Sequence, residues 1–202
     1  MRDLVKVAEQ YLGANVEVRK GLIEYYNRYC FPLVKQERRY KMGLGDNWCA
    51  MFVSVVAHKA GYAPNQFPYE VSVYYQCEIA RQWGTFYAGL SGVREGDLII
   101  YDWLNNGSYD HVGFIKTLGE NHIITIEGNY SNTVKHRTLN RASRAIKGFI
   151  RLSGIEHSGE YATLEALAKG VLRGEYGDGA KRRKLLGSNY NRVQEMVNEI
   201  LK

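Results

Sequence analysis

A chain of 202 residues with 45% hydrophobic side chains has room for one ordinary domain and a small second one, and its composition excludes a disordered chain. The net charge of +6 favours an anionic partner, yet no basic run is long enough for a nucleic-acid tail, so no nucleic-acid partner is expected. Three cysteines, an odd number without metal-type spacing, argue against a disulfide framework and for a reducing compartment.

The opening residues, Met1 to Glu9, hold no apolar core of signal-peptide length. No stretch approaches the roughly 20 apolar residues that span a bilayer, so membrane insertion is not expected. A protein of this kind that acts outside the cytoplasm needs some release route other than ordinary secretion.

Residues 3–12 place Leu4, Val5, Ala8, Tyr11 and Leu12 at helical spacing. A tyrosine-rich helix is expected over 21–29, and a loop with Pro32 and two glycines over 31–45. Trp48 to Ala57 is apolar except for Ser54, the pattern of a helix buried on nearly every side. Asp46 or Asn47 is its expected N-cap. Gly61 suits the left-handed position after its last turn. Cys49 then lies in the first turn, where the helix dipole and unpaired N–H groups favour a thiolate. Pro64 and Pro68 break the chain, and a further helix is expected near 70–82.

From Gly96 the pattern changes. Leu98–Tyr101, His111–Thr117 and His122–Glu127 read as strands, and 133–137 and 145–152 add two more. Helices first and an antiparallel sheet afterwards define an α+β domain over 1–152. Leu118-Gly119-Glu120-Asn121 reads as a hairpin loop. A turn centred on Gly119 or Glu120 makes paired positions sum to about 238–240 and sets His111 opposite the Glu127–Asn129 segment. A histidine oriented by a carboxylate or an amide is the second half of a nucleophile–base–orienter arrangement. Each residue has an ordinary explanation alone: Cys49 as core packing, His111 as a strand-end histidine, Glu127 and Asn129 as turn residues. Their meeting in one domain favours chemistry.

The remaining candidates are weaker. His58 reads as structural and His122 as surface, while Cys30 and Cys77 read as packing residues. There is no His-x-x-x-His pair, no pair of cysteines two apart and no glycine-rich phosphate loop, so neither a metal nor a cofactor is expected.

Residues 153–162 are polar and glycine-containing and read as a linker. A small three-helix bundle follows over 163–202. Thr163 caps its first helix, Ala180–Leu186 forms the second, and Asn191–Leu201 the third. About 40 residues is near the lower limit for independent folding. This part holds eight Lys/Arg and seven Asp/Glu, whereas residues 1–152 hold 19 and 14, so the larger part carries most of the positive charge.

The strings Trp48-Cys49-Ala50-Met51-Phe52-Val53-Ser54, Gly96-Asp97-Leu98-Ile99, Asp110-His111-Val112-Gly113 and Ile126-Glu127-Gly128-Asn129-Tyr130-Ser131-Asn132 resemble the CHAP family of cysteine- and histidine-dependent amidohydrolases and peptidases. That family cuts bacterial peptidoglycan. The related NlpC/P60 group shares the cysteine helix and the His-Val-Gly strand, but it usually has a second histidine where Glu127 and Asn129 stand. The resemblance implies a papain-like fold, with Cys49, His111, Glu127 and Asn129 as catalytic residues. Either Glu127 or Asn129 would orient His111. Trp48, Trp103 and Tyr130 are candidates to flank the substrate groove.

Leu164, Ala168, Val171, Arg173-Gly174, Tyr176-Gly177, Gly179, Arg182, Leu186-Gly187, Tyr190, Val193-Gln194 and Val197-Asn198 resemble the cell-wall-binding repeat of the Cpl-7 lysozyme. Tyr176, Gly177, Gly179, Arg182 and Tyr190 are the wall-binding candidates. A single copy binds weakly, and a homo-oligomer through the repeat would raise avidity. Together the two resemblances imply an endolysin that accumulates in the host cytoplasm and reaches the wall, of Gram-positive type, after holin-mediated release. It would cut either the muramoyl–L-alanine amide or a peptide bond. The competing readings are a wall-binding protein without turnover, and an autolysin or interbacterial toxin with the same chemistry.

Overall fold

The computed structural model describes residues 3–152 and 159–201. The chain divides into two compact units, Met1–Ile155 and Glu156–Lys202. Most of the expected linker, residues 153–158, lies outside the described residues.

The first unit begins with α1 (Leu4–Glu9) and α2 (Val16–Tyr25). Asp3 and Asn15 cap them, each side chain accepting from two backbone N–H groups of the first turn. A π-helical turn, Tyr26–Cys30, continues α2, and short 3-10 turns carry the chain to α3 (Cys49–Ala60). Ten of the twelve α3 residues are buried. The one hydroxyl among them, Ser54, is satisfied by donating to the Glu70 carbonyl at 3.0 Å. The helix ends on Gly61 at φ 89°, the left-handed conformation that a Cβ would penalise. Its start differs from expectation. Trp48, not Asp46 or Asn47, occupies the N-cap position and supplies no side-chain acceptor. Asp46 is engaged instead by the Gly43 N–H at 2.7 Å and by the Tyr40 hydroxyl. Helix α4 (Val73–Gln82) follows.

Six antiparallel strands form one sheet in the order β1-β6-β2-β3-β4-β5. They are β1 (Phe86–Ala88), β2 (Leu98–Tyr101), β3 (His111–Leu118), β4 (His122–Tyr130), β5 (Thr133–Asn140) and β6 (Ile146–Ile150). Strand β1 was not expected. Three residues are too few to show alternation, and β1 exists by pairing with β6. All of β2 is buried because both sheet faces are covered. Leu98, Ile100, Val112, Phe114, Ile126 and Ile150 pack in one core with α3. Ile99, Tyr101, Ile115, Ile123 and Phe149 form a second core with Val93.

The second unit contains α5 (Gly159–Leu172), α6 (Gly179–Leu186) and α7 (Tyr190–Ile200). Helix α5 begins before Thr163, so that residue is not its cap, and Gly159–Ala162 belong to the helix and not to a linker. Leu164, Ala168, Val171, Leu186, Val193, Met196 and Val197 close a small core. Each helix alone could not bury such a stripe, and the three do so together.

Candidate active site

Cys49 is the first residue of α3 and is 4% exposed. The N-cap residue Trp48 supplies no side-chain acceptor to the first-turn N–H groups, so the positive end of the helix lies at Cys49. His111 is the first residue of β3 and pairs directly with Tyr101 of β2. The two rings stack at 5.8 Å with 29° between their planes. His111 Nε2 meets Glu127 Oε2 at 2.9 Å. That leaves Nδ1 as the ring nitrogen for Cys49, whose thiol also bonds and polarises the imidazole.

Glu127 is fully buried on β4. Its side chain lies over Gly113, and a Cβ added there would come within 2.5 Å of Glu127 Cγ. Glycine in the His-Val-Gly string is therefore the space into which the carboxylate fits. Four side chains satisfy that carboxylate. Tyr101 Oη and Thr125 Oγ1 donate to Oε1 at 2.9 and 2.7 Å. Arg137 Nε on β5 donates to Oε2 at 2.8 Å, beside His111.

Burial by itself would lower the pKa of His111. The hydrogen bonds and charges of Cys49 and Glu127 outweigh it and raise the value to about 9. Burial would likewise raise the Glu127 carboxyl. The bond and charge of His111, then Arg137 and Thr125, outweigh it and hold the carboxyl below its ordinary value. Glu127 is thus an anion and His111 a cation at neutral pH, each stabilised by the other. Cys30 and Cys77 have the opposite environment, and burial pushes both thiols up to about 12.

Asn129 does not touch His111. It lies in a bulge of β4 with φ at 60°, and its Nδ2 donates to Asn47 Oδ1 at 3.2 Å. It joins the β4–β5 end of the sheet to the loop before Cys49. Gly128, its neighbour, packs so closely on Phe52 of α3 that an added Cβ would come within 2.5 Å of the Phe52 Cβ. The β4–β5 connection is Ser131-Asn132, both at positive φ, a two-residue hairpin turn.

Of the groove candidates, Trp48 is fully buried and has no face for a substrate. Its indole donates to Asn132 Oδ1 at 3.4 Å, with the Arg19 guanidinium over its ring at 5.4 Å. Trp103 and Tyr130 are half-buried, and both rings lie against Arg137, at 4.7 and 3.7 Å. Arg19 was missed in the sequence. It reaches from α2 to the Leu44 and Asp46 carbonyls and to Asn132, tying the loop before Cys49 to the β4–β5 turn. Tyr101, Thr125 and Arg137 were missed as well. Thr125 had one signal, its place two residues before Glu127 on the same strand face. Asp97, in the Gly-Asp-Leu-Ile string, belongs to the framework and bonds Arg151 Nε at 2.8 Å and the Arg94 N–H at 2.8 Å.

In the second unit, Gly177 and Gly179 adopt φ of 61° and 53°, which shapes the turn between α5 and α6. Arg182 is spent inside the fold. Its guanidinium donates to the Gly177 carbonyl at 2.9 Å, to Asp178 at 2.8 Å and to Gln194 at 3.2 Å. Tyr176 packs over Gly170, and Tyr190 lies under Arg183 at 4.9 Å. Among the described residues, no group of three His, Cys, Asp or Glu side chains is arranged to hold a metal ion.

A buried helix that presents a cysteine at its start to a histidine on an antiparallel sheet is a papain-like arrangement. The chain belongs to the CHAP domain family, whose match covers residues 25–129, 105 of the 202. A CW_7 repeat matches residues 165–201. No curated protein matches the chain. The CHAP domain marks a peptidoglycan hydrolase of the amidase or peptidase class, and the CW_7 repeat marks cell-wall binding.

Proposed function

We propose that the protein is an endolysin that opens an amide bond of peptidoglycan with Cys49 as nucleophile. The observation that carries this is the chain of contacts from Cys49 through His111 to Glu127, with the 2.9 Å His111–Glu127 bond at its centre. Cys49 Sγ attacks the carbonyl carbon, its proton held on His111. The oxyanion gathers negative charge beside the uncapped N–H groups of α3. His111 then gives its proton to the leaving amine, and an acyl-enzyme remains. Water deprotonated by His111 attacks the thioester, and Cys49 is restored with release of the carboxylic acid. Glu127 is the orienting residue, since it alone of the two candidates touches the imidazole. Asn129 acts on the other side, holding Asn47 and the loop that leads into Cys49.

The bond cut is either the muramoyl–L-alanine amide or a bond within the stem or bridge peptide. In the repeat, Tyr176 and Tyr190 are the wall-contacting candidates, because Arg182, Gly177 and Gly179 shape the turn itself. The target is a Gram-positive wall, reached from the host cytoplasm through a holin. Three unpaired cysteines and a wall-binding repeat beside a hydrolase support that reading. Digestion of purified Gram-positive peptidoglycan by the wild type and by Cys49→Ala, with fragments identified by mass spectrometry, tests it. Stem peptides freed only by the wild type establish an amidase, and new ends within stem or bridge establish an endopeptidase. Equal release by both proteins overturns the cysteine assignment.

A further inference from the structure

We propose that Arg137 is a positioning residue of this site, sharing the Glu127 carboxylate with His111 and so controlling how firmly the imidazole keeps its proton. The proposal rests on the reading of Cys49 and His111 as nucleophile and base. Three observations carry it. First, Arg137 Nε and His111 Nε2 bond the same oxygen, Glu127 Oε2, at 2.8 and 2.9 Å. Second, the carboxylate is fully buried, so no water dilutes the competition between the two cations. Third, the guanidinium is fixed by more than its ion pair, because the rings of Tyr130 and Trp103 lie against it at 3.7 and 4.7 Å. This assigns Trp103 and Tyr130 a task that the sequence did not suggest. They form a clamp that holds Arg137 on the carboxylate.

The surroundings are closed enough to name. His111 faces Cys49 from α3, Tyr101 from β2 and Glu127 from β4. Glu127 bonds, besides His111, Tyr101, Thr125 and Arg137, and on β5 it lies directly opposite Lys135, which is exposed. Among the described residues, Arg137 is the one lysine or arginine ion-paired with this carboxylate. A carboxylate bonded to His111 alone would bind the imidazolium more tightly. It would slow the step in which His111 releases its proton to the leaving amine. Arg137 takes up part of that negative charge and keeps the side chain in the rotamer that points at His111.

The test uses the full chain, and its deciding readout needs no turnover. The titration of His111 is followed by NMR on histidine-labelled protein, the signal being identified by its loss in His111→Gln. Arg137→Gln is expected to move the titration upward by at least about half a unit, the size of one unit charge a few ångströms away even at the dielectric of water. Arg137→Lys, which restores the charge without the planar fork, is expected to return most of the shift. In hydrolysis of solubilised wall, Arg137→Gln should lower kcat about tenfold with little change in KM, as for an interaction felt in the transition state. An unmoved or lowered His111 titration in Arg137→Gln, with the protein folded, overturns the proposal. If Arg137→Gln does not fold, Tyr130→Ala is read in the same way, since opening the clamp frees Arg137 from Glu127, and no upward shift again overturns it. Residual hydrolysis in Cys49→Ala would instead overturn the underlying reading, and the two failures are separable.

Discussion

Gly113 has no side chain because Glu127 occupies the space one would need. A methyl group there meets Glu127 Cγ at 2.5 Å and the Ile126 carbonyl at 3.0 Å, and the backbone atom cannot yield. Gly113→Ala is expected to push the carboxylate away from His111 and to lower kcat/KM about a hundredfold, the cost of misplacing a catalytic group by about 1 Å. Kinetics beside a circular-dichroism melt separate this from unfolding. His111 sets the alkaline limit. Its pKa is raised from 6.5 to about 9, so the charged pair it makes stabilises the fold fully below 6.5, and that contribution is lost as pH rises through about 9. Glu127, lowered from 4.5, contributes above that value and loses its contribution as pH falls through its depressed value. Activity should decline above about pH 9 for the same reason, because a neutral His111 has no proton for the leaving amine. A pH–rate profile flat from 7 to above 10 would contradict this assignment.

At the scale of elements, the position of Cys49 depends on a short loop. Helix α3 is locked on every side, but the chain before it has no regular structure from Gly43 to Trp48. Arg19 holds that loop through two of its carbonyls and joins it to Asn132 at the β4–β5 turn. Asn129 makes a second tie, to Asn47. Arg19→Ala removes several partly buried hydrogen bonds at once and should cost about 2–4 kcal/mol of stability in denaturant unfolding. Asn129→Ala removes one exposed bond and should cost less than about 1 kcal/mol, yet it should lower kcat. Equal losses of stability in the two variants would mean that the loop is not held as described.

At the scale of the whole molecule, the chain joins a catalytic unit with its own two cores to a smaller unit with its own. Separate cores predict separable behaviour. A chain ending at Leu152 should keep its melting transition and its kcat on solubilised wall fragments. On intact walls it should lose at least about tenfold in rate, since the repeat no longer raises the local concentration of enzyme. Sedimentation with insoluble wall measures the binding directly. Within the small unit, Arg182→Ala breaks three internal contacts and should lower the melting transition of that unit while leaving kcat on soluble fragments unchanged.

The register of β4 marks the boundary between what the residues announce and what folding decides. Periodicity alone places α3, the order of the long strands and the three final helices, because an apolar stripe repeats locally and can be read locally. Cys49 and His111 were legible for the same reason, one at a helix start and the other at a strand start. The hairpin brings Glu127 near His111, but only to within a residue, and one residue decides the face. Close to the loop, Leu118 pairs with Ile123, and continuing that register would set Glu127 against Phe114, on the α3 side of the sheet. A shift at Lys116 sets Phe114 against Ile126 instead, which turns Glu127 onto Gly113 and toward His111. A second shift, at Gly128-Asn129, pairs Thr125 with Arg137 and brings the guanidinium to the same carboxylate. Composition and pattern thus determined the class of fold and pointed to Cys49 and His111 as the proposed nucleophile and base. Only tertiary structure set Glu127, and not Asn129, against the imidazole and brought Tyr101, Thr125, Arg137 and Arg19 to their places, because bulges and long-range packing set side-chain direction and leave no local period in the sequence.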